Sequence, residues 1–71
     1  MITVKIGEVE LKLTKNEAKE AQRLEAFRRV EKEYAQRSAD IWIRSAPTTA
    51  AQDRRKAVAR ALGLSDTVAF L

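Results

Sequence analysis

The residues that could do chemistry in this chain are mainly basic. The densest positive charge comes from Arg54, Arg55, Lys56 and Arg60, and binding to nucleic-acid phosphates needs such charge. A predicted helix N-terminus nearby adds partial positive charge. The alternative interpretation is a solvated helix face, because runs of charge are common on stable helices. Binding of a single strand would favour aromatic residues among the basic ones. This basic cluster contains none.

Catalytic constellations are scarce. The 71 residues include no His and no Cys, which removes the usual general base, the thiolate nucleophile and the commonest transition-metal ligands. Asp53 and Asp66 stand alone, so no metal site is predicted. Glu31 lies near the middle of the apolar arc of a predicted helix, where we expect it to pair with Arg28 or with a basic group across an interface. We therefore expect no enzyme, no catalytic residue, no cofactor and no small-molecule substrate.

Large apolar residues indicate a different function, which is binding to a partner. Ile41, Trp42 and Ile43 are consecutive, and successive helical residues point about 100° apart, so they cannot all face one core layer. Phe70 and Leu71 end the chain in a similar way. Either these residues complete the core or they form an interface, in which Trp is enriched. The five residues are our candidate partner-binding set.

The first elements of the chain are predicted to be the two strands of a β-hairpin, over residues 1–14. Apolar and polar residues alternate on both sides of Gly7-Glu8, and a Gly-X loop suits a type II′ turn. This register pairs Lys5 with Glu10, which is a favourable cross-strand charge pair. It also places six apolar side chains on one face, in the pairs Ile6 with Val9, Val4 with Leu11, and Ile2 with Leu13.

A long helix is predicted over residues 15–46, which contain no Gly and no Pro. Thr14 and Glu17 have the spacing of a capping box, and Pro47 ends the pattern. Such a helix would be about 48 Å long at ~1.5 Å per residue, whereas a globule of this length measures roughly 30 Å across. The helix either breaks, at Tyr34–Ser38, or leaves an overhang that another chain covers. We favour the continuous helix.

A second helix is predicted over residues 49–62, with Thr49 as its N-cap and Gln52 completing a capping box. Gly63 suits the position after its end. Ser65 is expected to cap a short C-terminal turn over residues 65–71. The predicted fold is thus a single small α+β domain over residues 1–71, mainly helical, in the order ββαα.

Three resemblances bear on function. Residues 61–68, Ala-Leu-Gly-Leu-Ser-Asp-Thr-Val, resemble the turn of helix-turn-helix regulators, but residues 66–71 carry no basic residue with which to read bases. Residues 9–14 followed by a helix, with residues 36–41 as the start of another, are similar to ribbon-helix-helix repressors, which pair one strand per subunit. The opening Ile-x-Val-x-Ile-Gly before a charged helix resembles small phage-encoded accessory proteins, such as assembly factors and inhibitors of host machines.

These observations predict a small accessory protein that docks on a larger protein partner or assembly. The alternative is a nucleic-acid-binding transcriptional regulator that uses the basic cluster, which the net charge of +4 permits. A homo-oligomer is a further alternative for the partner. No apolar run approaches the roughly 20 residues of a membrane span, and no leader is predicted, so we expect a cytoplasmic or virion-associated protein.

Overall fold

Secondary structure in a computed structural model of the chain, which describes residues 1–67, follows the order ββααα. The elements are strands β1 (Ile2–Ile6) and β2 (Val9–Leu13), followed by helices α1 (Lys15–Val30), α2 (Lys32–Arg44) and α3 (Thr49–Ala61). The prediction of a mainly helical α+β chain with an N-terminal hairpin is confirmed. The helices number three rather than two, because the predicted long helix is divided.

The hairpin has the predicted register. Lys5 lies opposite Glu10 and Ile6 opposite Val9. Gly7 has a φ of 59°, and no non-glycine residue among positions 1–67 has a positive φ. Of the two turn residues only Gly7 therefore has a positive φ, as a type II′ turn requires. The strands pair within one chain, unlike the pairing between subunits that the ribbon-helix-helix resemblance implies.

The predicted continuous helix over residues 15–46 is wrong. Glu31 is extended, with φ −153° and ψ 114°, and it ends α1 and begins α2. The described part of the chain measures 32 × 29 × 18 Å, so a helix of about 48 Å would extend beyond it. The break lets α2 fold back and pack against α1. The break also lies before Tyr34–Ser38, the position given for the alternative of a broken helix, and those residues are helical.

The break places one aromatic pair at the corner between the helices. The Phe27 ring, from the last turns of α1, meets the Tyr34 ring of α2 edge to face, with centroids 5.0 Å apart. Such a pair adds about 0.5–1.5 kcal/mol beyond its buried area. Glu31 itself is exposed, so the prediction of a carboxylate within the apolar arc is also wrong.

Helix α3 closes the molecule against β2 and α2. Its N-cap is Thr48, whose hydroxyl accepts the Ala51 N–H, one residue before the predicted Thr49. At its other end Gly63 has a φ of 73°, and the Leu64 N–H donates to the Ala59 carbonyl over 2.8 Å. The left-handed glycine and this hydrogen bond form the cap that was predicted after this helix.

Residues 65–67 follow this cap without helical structure. The Ser65 hydroxyl accepts the Thr67 N–H. Gln36 of α2 fixes this segment, since its side-chain amide exchanges two hydrogen bonds with the Ser65 backbone. The rest of the predicted turn, including Phe70 and Leu71, lies outside the described residues.

The core lies where both strands and all three helices meet. Its largest fully buried side chains are Leu13, Leu24, Ile43 and Val58. Alanines at Ala35, Ala39 and Ala59 are also fully buried, which lets the helix backbones approach one another. None of the helices within residues 1–67 is both long and apolar enough to cross a bilayer.

Candidate functional site

The three apolar residues in succession on α2 have different environments. Ile43 is fully buried in the core, Trp42 is partly buried, and Ile41 is 67% exposed. This agrees with the expectation that successive residues cannot share one layer. Ile43 is therefore a core residue, and its position does not support the docking role proposed for it. Ile41 is the member of the trio that can reach a partner.

Ile41 belongs to a stripe along α2, which we call the outer face and define as Tyr34, Arg37, Ile41 and Arg44. All four side chains are exposed. Their spacing of three and four residues places them on one side of the helix. That side is opposite the buried stripe, which consists of Ala35, Ala39 and Ile43.

The outer face alternates apolar and positive groups. Tyr34 is 51% exposed although its ring contacts Phe27. Neither Arg37 nor Arg44 forms an ion pair with any residue from 1 to 67. The face therefore offers two large apolar side chains and two guanidinium groups without carboxylate partners in that range.

Arg54, from the basic cluster on α3, is held by a carboxylate. Its Nε lies 2.9 Å and 3.0 Å from the two Glu17 oxygens. Glu17 is buried, and it also accepts the Thr14 N–H as part of the predicted capping box. One carboxylate thereby fixes the start of α1 and joins it to α3.

Burial alone would raise the pKa of Glu17. The hydrogen bond from Arg54 and the backbone N–H of Thr14 act in the opposite direction, and they hold the pKa of Glu17 below its ordinary value. The carboxylate is therefore ionised at neutral pH. It is a structural group, since both of its oxygens are used within the fold.

Arg55 makes contacts within the fold as well. Its guanidinium lies over the Trp42 ring, with the central carbon 5.1 Å from the ring centroid, and Nη1 donates to the Trp42 carbonyl and to Ser45 Oγ. Carbonyls of a helix's last turn lack intrahelical partners. Arg55 thus closes the end of α2 and attaches it to α3.

The remaining members of the basic cluster are less constrained. Arg60 lies 3.5 Å from Asp66 in an exposed pair, and Lys56 is partly buried without an ion-pair partner in residues 1–67. The structure does not bring the four basic side chains together on one free surface. Nucleic-acid binding by this cluster stays a prediction, and Lys56 and Arg60 are the groups still available for it.

Acidic side chains in the described part of the chain do not gather into a metal site. Within positions 1–67 there is no group of three carboxylates that could hold a metal ion. Glu25 pairs with Arg29 and Glu20 with Arg23, both on the surface of α1. These two carboxylates thus neutralise neighbouring arginines of the same helix.

Comparison of the chain with protein families, with curated proteins and with solved structures gives no match.

Sequence reasoning missed two features of the surface. Sequence patterns did not identify Tyr34 as a surface residue, yet it is 51% exposed on the outer face. They did not identify Arg37 either, whose exposed guanidinium has no ion pair within residues 1–67. The size limit on an uninterrupted helix was the signal that could have revealed both.

Proposed function

We propose that this protein is a small non-enzymatic docking module, and that its outer face binds an apolar cleft on a partner protein flanked by carboxylates. The observation that carries the proposal is the exposure of Tyr34 and Ile41 in alternation with Arg37 and Arg44. Apolar side chains that anchor an interface commonly lie at its centre, with polar groups around them. A docking role is also what the resemblance of residues 1–46 to small phage-encoded accessory proteins implies.

Charge is the reason for preferring a different protein over a second copy of this chain. A symmetric pair would place the centre of the outer face against itself. Arg37 lies near that centre, so two arginines of like charge would meet. Like charges in contact across an interface oppose binding, whereas carboxylates on a different protein would pair with Arg37 and Arg44.

Site-directed photo-crosslinking tests the proposal. A photoreactive residue in place of Ile41 should label one protein in an extract of the source cells, and the same group at the exposed Asn16 on α1 should not. Excess unlabelled wild-type protein should prevent the labelling. Excess Ile41→Asp should not prevent it, because a carboxylate at the centre of the apolar contact opposes burial.

Val9→Thr is the matched control competitor, since Val9 is an exposed apolar residue on the hairpin. It should compete as well as the wild type. With the labelled protein purified, affinity should fall with salt, and Arg37→Glu should weaken binding about tenfold or more. Competition by Ile41→Asp equal to that of the wild type would contradict the proposal. So would a dimer in sedimentation equilibrium that Ile41→Asp dissociates, because the outer face would then bind its own copy.

A further inference from the structure

A cavity away from the outer face lies between the hairpin turn, the end of α1 and the end of α3. Its volume is about 410 Å³, which is within the size range of small-molecule sites. Charged side chains on two helices surround it, namely Glu25, Arg28, Arg29 and Arg60. The remaining lining comes from the turn and the α3 end, at Ile6, Gly7, Ala61, Leu62 and Gly63.

The charge of this lining is mainly positive and weakly neutralised. Three guanidinium groups and one carboxylate leave a net charge of +2. Arg29 lies 3.4 Å from Glu25 and Arg60 lies 3.5 Å from Asp66, and in both pairs the arginine is exposed and the carboxylate partly exposed. Pairs of this kind are worth about 0–1 kcal/mol, so an anion can compete with them for the arginines.

Arg28 is the member of this group with no ion pair or side-chain hydrogen bond to residues 1–67. Its Nη2 would lie 3.2 Å from a Cβ placed on Gly63. The guanidinium therefore rests against a backbone without a side chain. The helix cap that requires a glycine at this position also makes room for the cation beside the cavity.

The cavity combines these cations with an apolar floor. Ile6 and Leu62 are both buried and belong to the core. Charge-assisted hydrogen bonds are stronger beside such low-dielectric surface than in open water. Arginines near the ends of α1 and α3 also offset the partial negative charge of those ends, but each end is equivalent to only about half a charge.

From this combination we propose that the cavity binds a small molecule that carries a phosphate monoester. Three arginines supply more N–H donors than the two oxygens of a carboxylate accept, whereas a monoester offers three terminal oxygens and close to two negative charges. The cavity exceeds the size of a bare phosphate ion, and its apolar floor suits an organic ester group. The arginines surround one cavity rather than following a surface track, which favours a small ligand over a nucleic-acid strand.

Titration of the ¹⁵N-labelled full chain, followed by NMR at about pH 8, tests the inference with phenyl phosphate as the probe. Saturable shifts are expected at the amides of Gly7 and Gly63. Methyl phenyl phosphate and benzoate carry one negative charge each, and both should bind at least several-fold more weakly. Arg28→Gln should weaken phenyl phosphate binding about tenfold, as expected for the loss of a charge-assisted hydrogen bond.

Lys19→Gln is the matched control, because it removes one exposed positive charge of α1 that lies outside both the cavity lining and the outer face. It should change the affinity less than twofold. Arg60→Gln is the second test variant, which keeps the inference testable if Arg28→Gln proves unstable. Equal weakening by Lys19→Gln and the cavity variants would overturn the inference, as would benzoate binding as tight as phenyl phosphate. A single-stranded octanucleotide that binds more tightly, with shifts spread over α3, would overturn it in favour of nucleic-acid binding.

Discussion

On the two sides of α2, isoleucine and arginine side chains have different roles. On the inner side, Ile43 fills the core, and Arg55 of α3 stacks on Trp42 and closes the helix end. On the outer side, Ile41 is exposed, and Arg44 has no ion pair within residues 1–67. The comparison shows that the contact, and not the residue type, decides whether an arginine or an isoleucine stabilises the fold or remains available for binding.

The strongest test of this comparison uses the two isoleucines. Ile43→Ala should lower the free energy of unfolding by about 2–5 kcal/mol, because it leaves a cavity in a fully packed region. Ile41→Ala should change it by no more than about 0.5 kcal/mol. Urea denaturation followed by circular dichroism measures both. Should Ile43→Ala fail to fold, Ile43→Val should still cost about 0.5–1.5 kcal/mol, and equal costs at positions 43 and 41 would refute the assignment of the two sides.

Two glutamates on α1 provide the next contrast. Glu17→Gln removes the buried partner of Arg54 and should cost about 1.5–3 kcal/mol, as for hydrogen bonds to charged groups. Glu25→Gln removes an exposed partner of Arg29 and should cost less than about 1 kcal/mol. Thermal unfolding of the two variants at equal salt concentration provides the comparison, and a larger loss for Glu25→Gln would reverse it.

Acid gives an independent check on Glu17. Its pKa is lower in the folded than in the unfolded chain, so its contribution is complete above the unfolded pKa and is lost as pH falls through the lowered folded value. The wild type should therefore lose more stability than Glu17→Gln between about pH 6 and about pH 3. If the stability of the two proteins changed with pH in parallel, the fold would not stabilise the charged form of the Glu17 carboxylate.

A smaller effect is expected at the capped end of α3. Gly63→Ala should cost about 1 kcal/mol, because alanine is strained at a φ of 73°. Gly63→Asn should cost less, since asparagine tolerates left-handed backbone better. Denaturant midpoints rank the three proteins. A cost for asparagine at least equal to that for alanine would show that space near Arg28, and not backbone conformation, governs the position.

The smallest expected effect is at the junction between α1 and α2. Glu31 is the N-cap of α2 and makes no side-chain capping bond, while Asp is among the best N-cap residues. Glu31→Asp should therefore stabilise the protein by about 0.5 kcal/mol. In a continuous helix the same change would be destabilising, because Asp has a lower interior helix propensity than Glu. The sign of the measured change decides whether the break exists in solution.

Local chemistry accounts for the features that the sequence predicts well. Alternation, the glycine turn and the Lys5–Glu10 pair define the hairpin within a few neighbouring residues. The ends of two helices are likewise predicted from neighbouring residues. Thr14 and Glu17 cap the start of α1, and Gly63 follows the end of α3. Each of these predictions depends on residues that lie close together in the chain.

The remaining features depend on contacts between distant parts of the chain. Nothing near Glu31 breaks a helix by itself, and the break follows from packing α2 back against α1. Arg54 lies 37 positions from Glu17, so its pairing has no sequence signature. The arginines around the cavity come from different helices, and they converge only because α3 ends beside the hairpin turn and α1.

The position of Glu31 also has a consequence for how the chain assembles. The two strands of the hairpin are consecutive in the chain, and α2 follows α1 after a single extended residue. Both pairings are therefore contacts between consecutive segments, and such contacts form quickly. Helix α3 is the element that must return to β2 across the intervening helices. We expect α3 to dock last during folding, and amide protons that depend on its packing to exchange earlier than those of the α1–α2 pair.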